Sequence, residues 1–183
     1  MPSRSFPGFE SPAAGPEAPL QLLAACHERM ARQCATLRRL VPHVAERGPD
    51  AAAREAAQAV MRYFDTAALH HHADEEQDLF PALLESMAGS DAVCLRELTE
   101  GLAAEHRDLE TAWQRVRQPL ERIAAGESAP LPPGEVEALV GAYQRHIARE
   151  DSELLPMAAR LLGEHDLARI GQAMRARRGI GSP

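Results

Sequence analysis

Apolar side chains recur at three- and four-residue steps along most of this chain, the spacing of one face of an α-helix. Leu22, Leu23, His27, Met30, Cys34, Leu37, Val41 and Val44 predict a first helix of roughly 25 residues. Gly48-Pro49-Asp50 ends it, and Asp50 can cap the next helix. That second helix runs from about Ala51 to Met87, with Val60, Phe64, Ala67, His71, Glu75, Leu79 and Ala82 along one side. Pro81 lies within it and lacks a backbone donor, which predicts a kink or a new turn. Gly89-Ser90-Asp91 breaks the chain, and a third helix from about Ala92 to Ala125 aligns Leu95, Leu98, Leu102, His106, Leu109, Trp113, Val116, Leu120 and Ile123. Gly126 to Gly134, with Pro130, Pro132 and Pro133, is the longest internal loop. The fourth helix, about Glu135 to Leu162, carries Leu139, Tyr143, His146, Glu150, Leu154 and Met157 on one side. A short last helix follows Gly163, with Leu167, Ile170 and Met174 inward. Its Arg169, Arg175, Arg177 and Arg178 are expected to face solvent or complement the helix end, in preference to forming a specific anion site.

Four long helices joined mostly by short loops predict an all-α, up-down-up-down four-helix bundle with a short C-terminal helix. At 183 residues the chain suits one domain with a sizeable core: a flexible proline-rich leader over 1–19, the bundle over 20–162, and a short helix and tail over 163–183. The net charge of -7, spread along the helices, argues against a nucleic-acid surface. The leader, interrupted by five prolines from Pro2 to Pro19, does not read as a signal peptide, and no stretch is apolar enough to span a membrane. Cys26, Cys34 and Cys94 form no metal spacing and read as reduced, mostly buried thiols of a cytoplasmic protein.

The polar residues inside the apolar stripes change the picture. His70-His71-His72-Ala73-Asp74-Glu75-Glu76-Gln77-Asp78-Leu79-Phe80-Pro81 has a fainter copy in His146-Ile147-Ala148-Arg149-Glu150-Asp151-Ser152-Glu153-Leu154-Leu155-Pro156, and both read His-x3-Glu-x5-Pro. A four-residue step turns through about 400°, so each His–Glu pair stands on one helix face as a two-point metal grip. Counting back from each proline selects His71/Glu75 over His72/Glu76. His70 and His72 lie roughly 100° to either side. At most one of them reaches the same site, and their ordinary reading is a solvated or flanking position. Measured in helical rise about the turns at Gly48 and Gly89, His27, His71 and His106 reach one level. The repeat puts His146 there too. The spacings of 79 residues from His27 to His106 and 75 from His71 to His146 suit a duplicated helical hairpin.

A lone histidine among apolar neighbours is more often a packed core residue than a ligand. Burying an ionised carboxylate without a partner, however, costs several kcal/mol or more, and no Arg or Lys on the inward faces can pair with Glu75 or Glu150. A metal centre removes that difficulty. Six ligands suit two ions better than one. Imidazole and carboxylate without thiolate fit non-haem iron or manganese, with zinc also possible. Two shared glutamates would leave positions open for oxygen, nitric oxide or peroxide.

On His27, His71-x3-Glu75 with Leu79-Phe80-Pro81, His106, and His146-x3-Glu150 with Leu154-Leu155-Pro156, the chain resembles the hemerythrin-like, histidine-histidine-glutamate cation-binding family, over about Leu22 to Leu162. The resemblance implies a hemerythrin-type bundle holding two non-haem iron ions bridged by the two glutamates and an oxo or hydroxo group. The metal ligands it implies are His27, His71, Glu75, His106, His146 and Glu150. Oxygen-carrying members place a further histidine where this chain has Glu110, which argues against reversible oxygen carriage. Glu110 is then a seventh ligand, a proton acceptor or a solvated charge. Tyr143 either lines the pocket or is a core residue, and Trp113 is core. Binding or sensing of oxygen, nitric oxide or peroxide is the leading expectation, with no partner protein indicated. The rivals are an enzyme that handles nitric oxide or peroxide or repairs iron-sulfur clusters, and a metal-independent helical interaction module. The cluster-repair members carry an N-terminal cysteine-containing domain, whereas no cysteine precedes Cys26 here.

Overall fold

The structure, a computed structural model, describes residues 18–87 and 92–180. The predicted leader falls mostly outside them, as does the break at Gly89-Ser90-Asp91. No strand occurs among the described residues. The helices are α1 (Pro19–Arg47), α2 (Ala51–Arg62), α3 (Ala68–Asp74), α4 (Phe80–Ser86), α5 (Ala92–Ala124), α6 (Pro133–Arg149), α7 (Leu155–Leu161) and α8 (Glu164–Arg177). Contacts run around a ring from α1 to α2, α2 to α5, α5 to α6 and α6 back to α1.

The ends follow from local chemistry. Pro19 opens α1, where a missing N–H costs nothing. At the other end Gly48 takes φ 68° and returns its N–H to the Val44 carbonyl at 2.9 Å; that left-handed conformation favours glycine. Asp50 caps α2 by accepting from the Ala53 N–H at 2.8 Å. Gly126, at φ 85°, closes α5 in the same left-handed way.

The predicted second helix is a single run from Ala51 to Ser86 interrupted by π-helical turns at Tyr63–Ala67 and Glu75–Leu79; a third such turn, Glu150–Leu154, joins α6 to α7. Two of these explain the prolines. Pro81 and Pro156 have no N–H to give, and the residue before each bonds five back instead, Phe80 to Glu75 and Leu155 to Glu150. The widened turn keeps the helix running past a residue that would otherwise break it. The turn at Tyr63–Ala67 has no such proline, and nothing in the sequence marks it.

Two apolar clusters divide the interior. One contains Met30, Leu37, Phe64, Trp113, Leu139 and Tyr143; the other contains Leu23, Leu79, Leu83, Leu102, Leu154 and Met174. His27 lies between Leu23 and Met30, and His106 between Leu102 and Leu109, so a polar layer separates the two. Helix α8 packs on α1, α3 and the Glu75–Leu79 turn. Two of its arginines do more than face solvent or complement the helix end. Arg177 and Arg178 both hold the fully buried Asp74, and Arg177 also reaches Asp78 at 2.7 Å. An unpaired Asp74 carboxylate would be too costly to bury. Arg169, exposed and paired with Glu85, faces solvent as expected, and Arg178 also meets the expected role at the helix end, its Nη1 donating to the Met174 carbonyl at 2.9 Å.

Candidate metal centre

All six residues expected as ligands meet in the polar layer. α1 supplies His27, α3 His71, α5 His106 and α6 His146, while Glu75 and Glu150 each open a π-helical turn. Every one is at most 3% exposed. Two donor groups emerge, His27–His71–Glu75–Glu150 and Glu75–His106–His146–Glu150, with ligand atoms within 4.8 Å of one another in each. The glutamates belong to both. His27 Nε2 lies 3.1 Å from Glu150 Oε2, His146 Nε2 3.0 Å from Glu150 Oε1, and His106 Nε2 3.3 Å from Glu75 Oε2.

The ring orientations come from carboxylates outside the layer. His27 Nδ1 donates to Asp151 at 2.7 Å, His106 Nδ1 to Glu76 at 2.6 Å and His146 Nδ1 to Glu105 at 2.8 Å. In each neutral ring the proton is thereby on Nδ1 and the lone pair on Nε2 points inward, the arrangement that carboxylates impose on metal-binding histidines. Glu105 is itself held by Arg149 at 2.7 Å. Sequence reasoning missed these three acids. Their signal was adjacency, since each neighbours a predicted ligand: Glu76 after Glu75, Asp151 after Glu150, Glu105 before His106.

Inward lone pairs then face carboxylate oxygens with nothing to share. Both oxygens of Glu75 and of Glu150, with Nε2 of His106 and of His146, are buried without a hydrogen-bond partner. Native interiors rarely leave so many groups unsatisfied. The donor set, nitrogen and oxygen together with both glutamates common to the two groups, fits cation binding.

Without a cation the groups depress or retain protons in opposite senses. Burial pushes His71 down to about 3 and His72 well below its ordinary value. Glu75 is raised well above the usual carboxylate range by burial and by the neighbouring Glu150. For Glu150 burial acts upward, but the imidazoles of His106, His146 and His27 outweigh it and hold it low. His27 is raised: burial opposes its charge, yet Glu150 and Asp151 prevail. His27 Nε2 lies 3.1 Å from Glu150 Oε2 and 3.2 Å from His71 Nε2.

The chain matches the family model for the hemerythrin HHE cation-binding domain over residues 18–158. It belongs to that family. It is also 30% identical over 162 residues to an uncharacterized protein of Haemophilus influenzae, a match spanning 88% of this chain and 91% of the relative. The cation-binding role of hemerythrin HHE domains agrees with the buried His/Glu cluster.

The alternatives left open by the sequence separate here. Glu110 is exposed and belongs to neither donor group, so it is a solvated charge. Tyr143 packs on Phe64 with ring centroids 5.2 Å apart, as a core residue, while also lining a cavity of about 520 Å³ with Cys34, Ile147 and Asp151. Trp113 is core, its Nε1 donating to Asp65 at 2.9 Å. Cys26 and Cys34 are buried thiols, but Cys94 is exposed. His72, expected in a solvated or flanking position unless it reached the site, is 8% exposed and stacks on His106. Among the described residues no helix is long and apolar enough to cross a membrane.

Proposed function

We propose that this chain is a non-haem di-iron protein of hemerythrin-type, up-down-up-down four-helix topology, whose centre binds or senses oxygen, nitric oxide or peroxide. The observation that supports it most is the inward set of imidazole Nε2 atoms and unpartnered carboxylate oxygens, oriented by Asp151, Glu76 and Glu105. His27, His71 and the two glutamates would hold one iron; His106, His146 and the same glutamates would hold the other. An iron pair in such a set supplies redox change and open positions for a small ligand, and manganese or zinc matches the same donors. The protein's own part is to fix ring orientation from outside and to keep bulk water away with the two apolar clusters. The reduced thiols favour the cytoplasm as its compartment.

The test is metal content per chain after purification without oxygen or chelators, with absorption spectra before and after exposure to oxygen and nitric oxide. About two irons per chain and a spectral change on exposure are expected. One zinc, or no metal after reconstitution with ferrous iron, would overturn the reading. Catalytic turnover of peroxide or nitric oxide that is lost in Glu75→Ala and Glu150→Ala would replace sensing by an enzyme built on the same site.

A further inference from the structure

We propose that His72 is a fifth histidine of the metal site, adding its Nε2 to the half built by His106 and His146. The inference rests on the two-metal reading above and goes beyond it. His72 lies with its ring centroid 4.0 Å from that of His106, the planes tilted by 12°, and 6.1 Å from that of His146. Ligand nitrogens of His72, His106 and His146 come within 4.8 Å of one another. Its Nε2 is buried and has no hydrogen-bond partner.

A histidine retained only for packing keeps its buried nitrogen bonded, because an unpaired polar atom costs about 1–3 kcal/mol. His72 does not. Packing at this level of the layer does not call for a histidine either. The spacing of 75 residues that carries His71 onto His146 and Glu75 onto Glu150 carries His72 onto Ile147. One half of the duplication therefore has an apolar side chain where the other has an imidazole. With His72 counted, three nitrogens face one metal position and two, from His27 and His71, face the other. The His27–His71 position is then the one with more room for an outside ligand.

The experiment uses the full chain, stripped by chelator and titrated with zinc, a diamagnetic probe, while the histidine ring nitrogens are followed by ¹⁵N NMR. Five histidines, including His72, should move to metal-bound shifts on loading. His72→Ile, which copies the equivalent residue of the other half, should weaken one of the two zinc ions by roughly 10- to 100-fold and spare the other. Four shifted histidines, with His72 unmoved and both affinities unchanged in His72→Ile, would overturn the proposal and leave the two-metal reading intact. A wild-type chain that takes fewer than two zinc ions would instead refute the two-metal reading and this proposal with it. Should His72→Ile not fold by circular dichroism, the count of five against four in the wild type decides alone.

Discussion

Replacing Glu75 by glutamine should stabilise the metal-free chain and weaken the metal-loaded one. Glu75 is fully buried, both oxygens lack a hydrogen-bond partner, and the carboxylates of Glu150, Asp74 and Glu76 add to the cost of its charge. An unsatisfied buried group of this kind costs about 1–3 kcal/mol. A glutamine amide of the same shape carries no charge and can donate to the inward lone pair of His71 or His106, whose Nε2 atoms lie 3.5 and 3.3 Å from the carboxylate. For a chain of this size 1 kcal/mol moves Tm by about 2–4 °C, so the chelated variant should melt roughly 2–12 °C above the wild type. Metal reverses the order. A ligand at 100 times its Kd adds about 2.7 kcal/mol, or roughly 5–11 °C on the same scale, and the glutamine variant should lose most of that gain.

The pH dependence provides an internal check. Because the folded-state pKa of Glu75 lies above its unfolded value, its favourable contribution is complete below the unfolded pKa and is lost as pH rises through the folded one. The advantage of Glu75→Gln should therefore grow from acid towards neutral pH. Thermal melts by circular dichroism, with and without chelator at several pH values, read both effects. A chelated variant that melts below the wild type, or a variant that gains as much from metal as the wild type does, would refute the reasoning.

The contribution of His71 to the stability of the metal-free chain should, in the opposite sense to that of Glu75, be lost as pH falls from 6.5 towards 3. Burial holds folded His71 down at about 3 while the unfolded residue titrates near 6.5, so its contribution is complete above 6.5 and is lost on the way down; the wild-type urea midpoint, measured against that of His71→Asn, should fall over that interval. Asp74→Asn should cost about 1–3 kcal/mol, less than a fully buried pair because Arg177 and Arg178 remain 17% and 20% exposed, and should make the end of α8 more sensitive to trypsin. Glu105→Ala removes the acceptor for His146 Nδ1 and should weaken metal binding by roughly 10- to 100-fold in a chelator competition, with helicity unchanged.

Periodicity made the helices legible because a buried helix face must be apolar every three or four residues, and exceptions to that rule marked the site. His27 and His106 stand out only because their neighbours on the stripe are Leu23, Met30, Leu102 and Leu109. The π-helical turns were not legible as such. Pro81 and Pro156 announced a disturbance, but whether a helix kinks or widens depends on what its next turn packs against, here Leu79 and Leu154 in the same apolar cluster. The pairing of Asp74 with Arg177 and Arg178 was hidden for another reason. The partners are 103 and 104 residues apart, and local spacing carries no information about a contact made by docking α8.

The duplication also shows where the two halves of the centre differ. The residue after each shared glutamate orients the lone histidine of the hairpin partner: Glu76 holds His106 and Asp151 holds His27. That part of the design is symmetric. The residue before His106, Glu105, holds His146; its counterpart before His27 is Cys26, whose thiol accepts from Arg29 at 3.1 Å, and His71 Nδ1 is buried without a partner. A carboxylate behind a metal-binding imidazole raises its basicity and fixes its angle. His146 has that support and His71 lacks it. His72, opposite Ile147 in the repeat, adds a nitrogen to the same better-supported half. Both departures from symmetry strengthen the His106–His146 position relative to the His27–His71 position, so the first metal equivalent should settle with His106 and His146 and the second should be the more easily removed.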